Sequence, residues 1–263
     1  MPEISVNGAR LHYDEYGAGD EIVISMQWAF VGKTWHQLLA HPPLNAHVYT
    51  VVAREHPPSE ETGVALGANS YPTFAEDVYG FARAMGIGRF VYTGVSHGGG
   101  IGWHLAVAHP EVLKGFVSIV GVPHDRSWPR AERRTAQRDA EAALRSFGIA
   151  ETSDPERLAA REQLRERIRH PDPSARPIDH GFPFPDAKTN EDLAARLAAV
   201  RVPTLILQGA LDGVSGPGQA LLAATAVPRA KTVIWQDYGH LVASEKPRLV
   251  IEEFKLFLDE LNR

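Results

Sequence analysis

The sequence predicts an α/β fold: a mostly parallel, eight-stranded sheet flanked by helices and interrupted by a helical insertion. Three observations carry that prediction. Short β-branched apolar runs alternate with helix-like segments along most of the chain, as successive βαβ units do. The alternation stops between residues 123 and 200, where the chain becomes Arg-, Ala- and Pro-rich and has no strand-like run. It then resumes and ends on a helix-like stretch, Pro247 to Leu261, that gathers Val250, Phe254, Phe257, Leu258 and Leu261 on one face, the stripe by which a helix docks on a sheet.

Taken in order, Ile4 to Val6 and the alternating run Leu11 to Tyr16 flank the turn signal Asn7-Gly8 and predict a hairpin. Apolar runs at Ile22 to Met26 and Val48 to Ala53 read as strands buried on both faces, with a helix over Thr34 to Ala40 between them. A helix from about Phe74 to Met85 ends near Gly86 and Gly88. The strand Phe90 to Thr93, a tight turn and a helix from Ser96 to Ala108 follow, closed by His109-Pro110. Phe116 to Val120 is the last strand before the insertion. Beyond it come strands at Thr204 to Leu207 and Thr232 to Trp235, with a helix near Gln219 to Ala226 between them. This divides the chain into an N-terminal part of the α/β core at 1–122, a helical cap at 123–200 and a C-terminal part of the core at 201–263. The many arginines of the cap, among them Arg126, Arg157 and Arg161, alternate with Glu and Asp and are expected on exposed, ion-paired helix faces.

With 263 residues, 44% of them hydrophobic and 22% charged, the chain can bury a full α/β core. Its formal net charge of −5 gives it no overall attraction for nucleic acid or anionic lipid, so a small-molecule partner is expected. The absence of cysteine excludes disulfides, a thiolate nucleophile and Cys-ligated zinc. The start Met-Pro-Glu-Ile-Ser lacks the basic and apolar regions of a signal peptide, and no run of about 18 apolar residues occurs, so a cytoplasmic protein without membrane association is expected. Oligomeric state, monomer or homodimer, stays open.

Gly94-Val95-Ser96-His97-Gly98 matches Gly-x-Ser-x-Gly, in which the flanking glycines permit a sharp strand-to-helix turn that holds the serine hydroxyl above the sheet. The match stands in the right context, since a strand runs straight into it and a Gly-rich helix runs out. A serine hydroxyl needs a base to take its proton, and the base needs an acid to fix its tautomer. Asp212 lies just past the strand ending in Leu207, and His240 just past the strand ending in Trp235. Asp125, after an earlier strand, is the reserve for the acid, while Asp237 reads as a solvated loop residue.

With Gly209 to Asp212 and Gly239-His240 following the serine motif in the order Ser, Asp, His, the chain resembles the α/β-hydrolase fold family over essentially its whole length, as a serine-nucleophile, esterase- or lactonase-like member. The resemblance implies attack by Ser96 on the carbonyl of an ester or lactone of a small apolar molecule, with His240 as base and Asp212 as its orienting partner, and no metal or organic cofactor. It implies an oxyanion hole of two backbone N–H groups, those of His97 and Trp28, with Ala29 as the alternative to Trp28. Trp28, Phe30, Trp128, Phe147, Phe182 and Phe184 are the candidate lining of a substrate pocket beneath the cap. Two stretches depart from the family: Ser25-Met26-Gln27-Trp28 stands where many members have His-Gly, and Arg54-Glu55-His56-Pro57-Pro58 replaces the usual Asp and Gly-x-Gly turn. Cofactor-free oxygenases, perhydrolases, carbon–carbon bond hydrolases and non-hydrolytic ligand-binding proteins share the fold and are the alternatives.

Overall fold

Asn7 and Gly8 both adopt positive φ, 47° and 77°, and close the hairpin between β1 (Glu3–Val6) and β2 (Ala9–Tyr16). That pair of left-handed residues twists the turn in the sense the strands require, which is why Asn-Gly is so strong a signal. The computed structural model describes residues 2–27, 34–127, 145–148, 153–170 and 181–263.

Six further strands complete the sheet: β3 (Ile22–Gln27), β4 (His47–Val52), β5 (Phe90–Val95), β6 (Leu113–Ile119), β7 (Thr204–Gly209) and β8 (Ala230–Trp235). The eight strands run in the order β1-β2-β4-β3-β5-β6-β7-β8. The pairs β1/β2 and β2/β4 are antiparallel, and every pair from β4 to β8 is parallel. From β3 the chain moves outward to β4 and then returns to lay β5 on the other side of β3. This reversal opens a crevice at the carboxyl ends of the strands, the place where open α/β sheets hold their ligands.

Helices cover both faces. On one side α2 (Ser70–Ala84) and α3 (His97–Ala108) press Phe74, Phe81 and Trp103 onto Tyr92 and Phe116. On the other, α1 (Thr34–Leu39) contributes Trp35 and Leu39 to a second cluster. The last helix of the chain, Pro247–Leu261, joins that cluster with Val250, Ile251, Phe254, Phe257 and Leu258. Each such side chain contributes roughly 1.5–3 kcal/mol on burial. The stripe expected on that final helix is the buried one, except that Leu261 is only partly covered.

Between β6 and β7 the described residues form helices and no strand. Here α4 (Pro155–Arg169) begins at Asp154, whose carboxylate accepts the N–H groups of Glu156 and Arg157, with Pro155 in the first helical position. The shorter α5 (Asn190–Leu197) starts with a reciprocal capping box of Thr189 and Asp192, and buries Leu193 and Leu197 in the same cluster as Phe74 and Trp103. After β7 come α6 (Pro217–Ala226), the single turn α7 (Val242–Glu245) and α8, the final helix.

Two helices, α2 and α6, begin earlier than expected, each with a proline in its first turn. Helix α2 begins at Ser70 rather than near Phe74, because Pro72 occupies one of the opening positions whose N–H has no partner within the helix. Among the described residues, no helix is long and apolar enough to cross a membrane.

Candidate active site

At the end of β5 the backbone turns sharply through Ser96, whose φ of 51° and ψ of −113° are rare for a residue with a side chain. The neighbours make that turn possible by being glycines. A Cβ on Gly94 would come within 2.1 Å of the carbonyl carbon of Gly98, and one on Gly98 within 2.9 Å of the Met26 carbonyl oxygen. The Ser96 N–H donates to the Ile119 carbonyl at 2.8 Å, and the Tyr92 hydroxyl donates to the Gly98 carbonyl at 3.0 Å, so strand, turn and helix are bonded as one unit.

Two loops from the far half of the sheet meet this turn. His240 lies beyond β8, and its Nε2 is 2.8 Å from Ser96 Oγ while its Nδ1 is 2.9 Å from Asp212 Oδ2. With the carboxylate accepting from Nδ1–H, Nε2 is left to accept the serine hydroxyl hydrogen; the tautomer follows from that network. Asp212, beyond β7, is buried and saturated. Its Oδ1 accepts the N–H groups of Val214 and Ser215 at 2.7 and 3.1 Å, and its Oδ2 accepts Gln208 Nε2 at 2.9 Å and the Ser215 hydroxyl at 3.0 Å besides His240. Burial pushes the Asp212 carboxyl up, but the charge and hydrogen bond of His240 and the N–H groups of Ser215 and Val214 outweigh it and hold the carboxyl below its ordinary range.

The reserve acid, Asp125, does not reach His240. It accepts from the Ser127 hydroxyl and N–H and from Asn190 Nδ2, and these bonds hold its carboxyl down at about 2. Asp237 is an exposed loop residue whose backbone carbonyl accepts from Arg157 Nη2 at 2.6 Å.

Residues 145–148 of the inserted segment are wedged between these two loops. The carbonyl of Ser146 accepts the Gly213 N–H at 2.8 Å, and the carbonyl of Phe147 accepts the His240 N–H at 2.7 Å. The ring of Phe147 stacks on the His240 imidazole, with centroids 5.4 Å apart and planes at 19°. Glycine is required opposite this turn, since a Cβ on Gly239 would lie 2.0 Å from the Phe147 carbonyl oxygen.

The other aromatic candidates diverge. Phe184 is buried and stacks on His104, 4.4 Å away, and its N–H donates to His104 Nε2 at 2.9 Å. Phe182 meets His124 edge-on at 5.7 Å and carries the Arg126 guanidinium 5.6 Å above its ring. His97 opens α3 and turns its ring toward Tyr71 and Phe74, at 4.8 and 5.6 Å. Trp28, Ala29, Phe30 and Trp128 lie outside the described residues.

In the loop after β4, Arg54 is buried and grips Asp77 of α2 through Nε at 2.7 Å and Nη2 at 2.6 Å. Glu55 follows at a φ of 65°, and its carboxylate accepts the N–H groups of Thr62 and Gly63 at 2.9 and 3.1 Å. The departure at this position is thus a loop clamped by charge. Not every arginine of the insertion is solvated as expected: Arg157 is only 8% exposed, because α4 turns it inward onto Glu245 at 2.8 Å. Nothing in its alternating charge pattern separates it from its neighbours, whereas Gln208 and Ser215 could have been suspected from flanking Asp212. Among the described residues, no group of three or more His, Asp or Glu is arranged to hold a metal ion.

Comparison with known proteins agrees with this architecture. The chain is 24% identical to a pimeloyl-[acyl-carrier protein] methyl ester esterase of Yersinia enterocolitica, covering 88% of this chain and 90% of that protein. Its fold is similar to that of an N-acyl homoserine lactone degrading enzyme, with a TM-score of 0.75 at 24% identity over 97% of this chain and 100% of that one. It is also similar in fold to the enol-lactonase of Burkholderia xenovorans, with a TM-score of 0.71 at 22% identity, over 98% of this chain and 100% of that one. The model of the alpha/beta hydrolase fold matches residues 28–247, so most of the chain is accounted for and the protein belongs to the α/β-hydrolase fold family.

Proposed function

We propose that the protein is a serine hydrolase that cleaves a carboxylic ester or lactone of a small apolar molecule through an acyl-enzyme on Ser96. The observation that carries this reading is the hydrogen-bonded line from Ser96 Oγ through His240 to Asp212, 2.8 and 2.9 Å in its two links, ending on a serine held at a strained strand-to-helix turn. The names of the relatives, a methyl ester esterase and two lactone-directed enzymes, support the same class of substrate.

His240 takes the hydroxyl proton as Ser96 Oγ bonds to the substrate carbonyl carbon, and Asp212 steadies the imidazolium that results. The tetrahedral oxyanion is held by the N–H of His97, at the positive end of α3, and by that of Trp28, or of Ala29. Collapse expels the alcohol with the proton from His240, and a water deprotonated by the same imidazole then releases the acid. No metal or organic cofactor takes part. The segment 123–200 acts as the cap over the substrate, with Phe184 packed on His104 beside Tyr71. A small-molecule ester or lactone is the sole partner the mechanism needs, and the setting proposed for it is cytoplasmic.

Hydrolysis of p-nitrophenyl esters of graded acyl length, followed beside Ser96→Ala and beside labelling by a serine-directed phosphonate with intact-mass readout, tests the proposal. Turnover that falls by about 10³-fold or more in the variant, with one phosphonate added to the wild type at Ser96, is the expected result. A wild type that neither turns over nor takes the label overturns it.

A further inference from the structure

The loop that carries His240 runs from Gln236 to Leu241, between β8 and the single turn α7, and belongs to no regular element. A general base must be held to within roughly 0.5 Å of its working position, so long-range contacts have to fix this loop. One guanidinium touches the loop before the histidine and the helix α7 that follows it. Arg157, in the first turn of α4, donates through Nε to Glu245 Oε2 at 2.8 Å and through Nη2 to the Asp237 carbonyl at 2.6 Å. The carbon of the same guanidinium lies 4.6 Å from the ring centroid of Tyr238. Glu245 in turn donates its N–H to the Leu241 carbonyl at 2.8 Å, and the Tyr238 carbonyl accepts the Leu211 N–H at 3.0 Å, beside Asp212.

We propose that Arg157 is a positioning residue for His240, which it holds in register with Ser96 through Asp237, Tyr238 and Glu245. The assignment rests on the serine-hydrolase reading, in which His240 is the base. Docking α4 onto the core does not by itself require this arrangement. On the same turn of α4, Lys246 already bridges Asp154 and Glu156 at 2.7 and 2.8 Å in a partly solvated position. The Arg157 and Glu245 side chains are 10% and 0% exposed, and a pair buried so deeply gains little net stability because desolvation offsets attraction. What it supplies is geometry: a planar fork that binds a carboxylate and a carbonyl at once, which a lysine of equal charge does not reproduce.

The experiment compares wild type with Arg157→Lys, Arg157→Met, the double variant Arg157→Met/Glu245→Gln, Lys246→Met as a docking control, and His240→Ala. The readouts are kcat and KM on the p-nitrophenyl ester best turned over, the rate of Ser96 labelling by the phosphonate, and Tm. The double variant removes both charges of the buried pair, so its Tm is expected to return to within a few degrees of wild type. Its kcat and labelling rate are nevertheless expected to fall together by about tenfold or more, with KM within about threefold, because the contacts to Asp237 and Tyr238 are gone. Arg157→Lys falls in between, and Lys246→Met keeps kcat within about twofold. Should the double variant fail to fold, Arg157→Lys decides by the same criteria.

The assignment is overturned if kcat recovers along with Tm in the double variant, if the effect sits in KM, or if Lys246→Met lowers kcat as far as Arg157→Met. Should His240→Ala retain full turnover, or the wild type neither turn over nor label, the hydrolase reading itself fails. A His240→Ala variant that is inactive, beside Arg157 variants that keep their kcat, removes this assignment alone.

Discussion

The turn that carries Ser96 and the loops that carry Asp212 and His240 are held by different means. The serine turn is local. Residues 90–108 supply the strand, the glycines and the helix, and the distorted backbone of Ser96 lies within that stretch, tied outside it by the hydrogen bond from its N–H to Ile119. The loops are held from a distance, by carbonyls of Ser146 and Phe147, by the Phe147 ring and by Arg157, all from the segment inserted between β6 and β7. The difference teaches that the segment between β6 and β7 supplies part of the frame on which two of the three proposed triad residues are set.

The largest expected effect lies on the loop side. In Asp212→Asn, Oδ1 can still accept the Val214 and Ser215 N–H groups, but the amide nitrogen would face Nδ1 of His240 and Nε2 of Gln208, both donors in the present network. The imidazole then takes the wrong tautomer, and kcat is expected to fall by about 10⁴-fold with only a modest drop in Tm. Steady-state kinetics and a thermal melt on the same preparation check it, and a small effect on kcat would mean that Asp212 is a structural residue.

On the serine side the expected failure is in folding. Gly94→Ala would drive a Cβ to 2.1 Å from the backbone of Gly98, where nothing flexible can give way. A loss of about 3 kcal/mol or more in urea unfolding is expected. A variant as stable as wild type would show that the turn is softer than its hydrogen bonds imply, and the contrast between a rigid local unit and tethered loops would lose half its basis.

A smaller, pH-dependent effect sits where the insertion meets the serine helix. His104 of α3 is packed between Tyr71 and Phe184, and burial, followed by the nearby Arg196 charge, lowers its pKa to about 4. Because the folded form prefers the neutral ring, this contribution is fully present above the unfolded pKa of roughly 6.5 and is lost as pH falls toward about 4. His56, lowered by burial as well, adds to the same slope. Over that window the loss from His104 is roughly 2–3 kcal/mol at most, and His104→Gln is expected to flatten the dependence of Tm on pH between 6.5 and 4. An unchanged slope would assign the acid sensitivity elsewhere.

Much of the architecture was legible because its signals are local. Asn7-Gly8 must form a turn of left-handed residues, and the runs that became β3 to β7 are mostly apolar because the sheet is covered on both faces. First turns were harder, since a proline at 72 or 217 looks like a break until the helix beyond it is known to leave those N–H groups unused. Of the six aromatic pocket candidates, Phe147 lies against His240 and Phe184 against His104, a distinction that composition cannot express.

By itself the sequence determined the order of strands and helices, the Gly-rich turn under Ser96, and the Ser, Asp, His order of the candidate residues, because each depends on periodicity or on backbone freedom within a few positions. Only the tertiary structure decided that Asp212 rather than Asp125 meets His240, that Phe147 stacks on that histidine, and that Arg157 is drawn inside. Those outcomes depend on which groups are brought together from separate parts of the chain, 28 residues apart for Asp212 and His240 and 80 and 88 for the contacts of Arg157, and removed from water, and a buried charge or stacked ring has no signature until its partner is known.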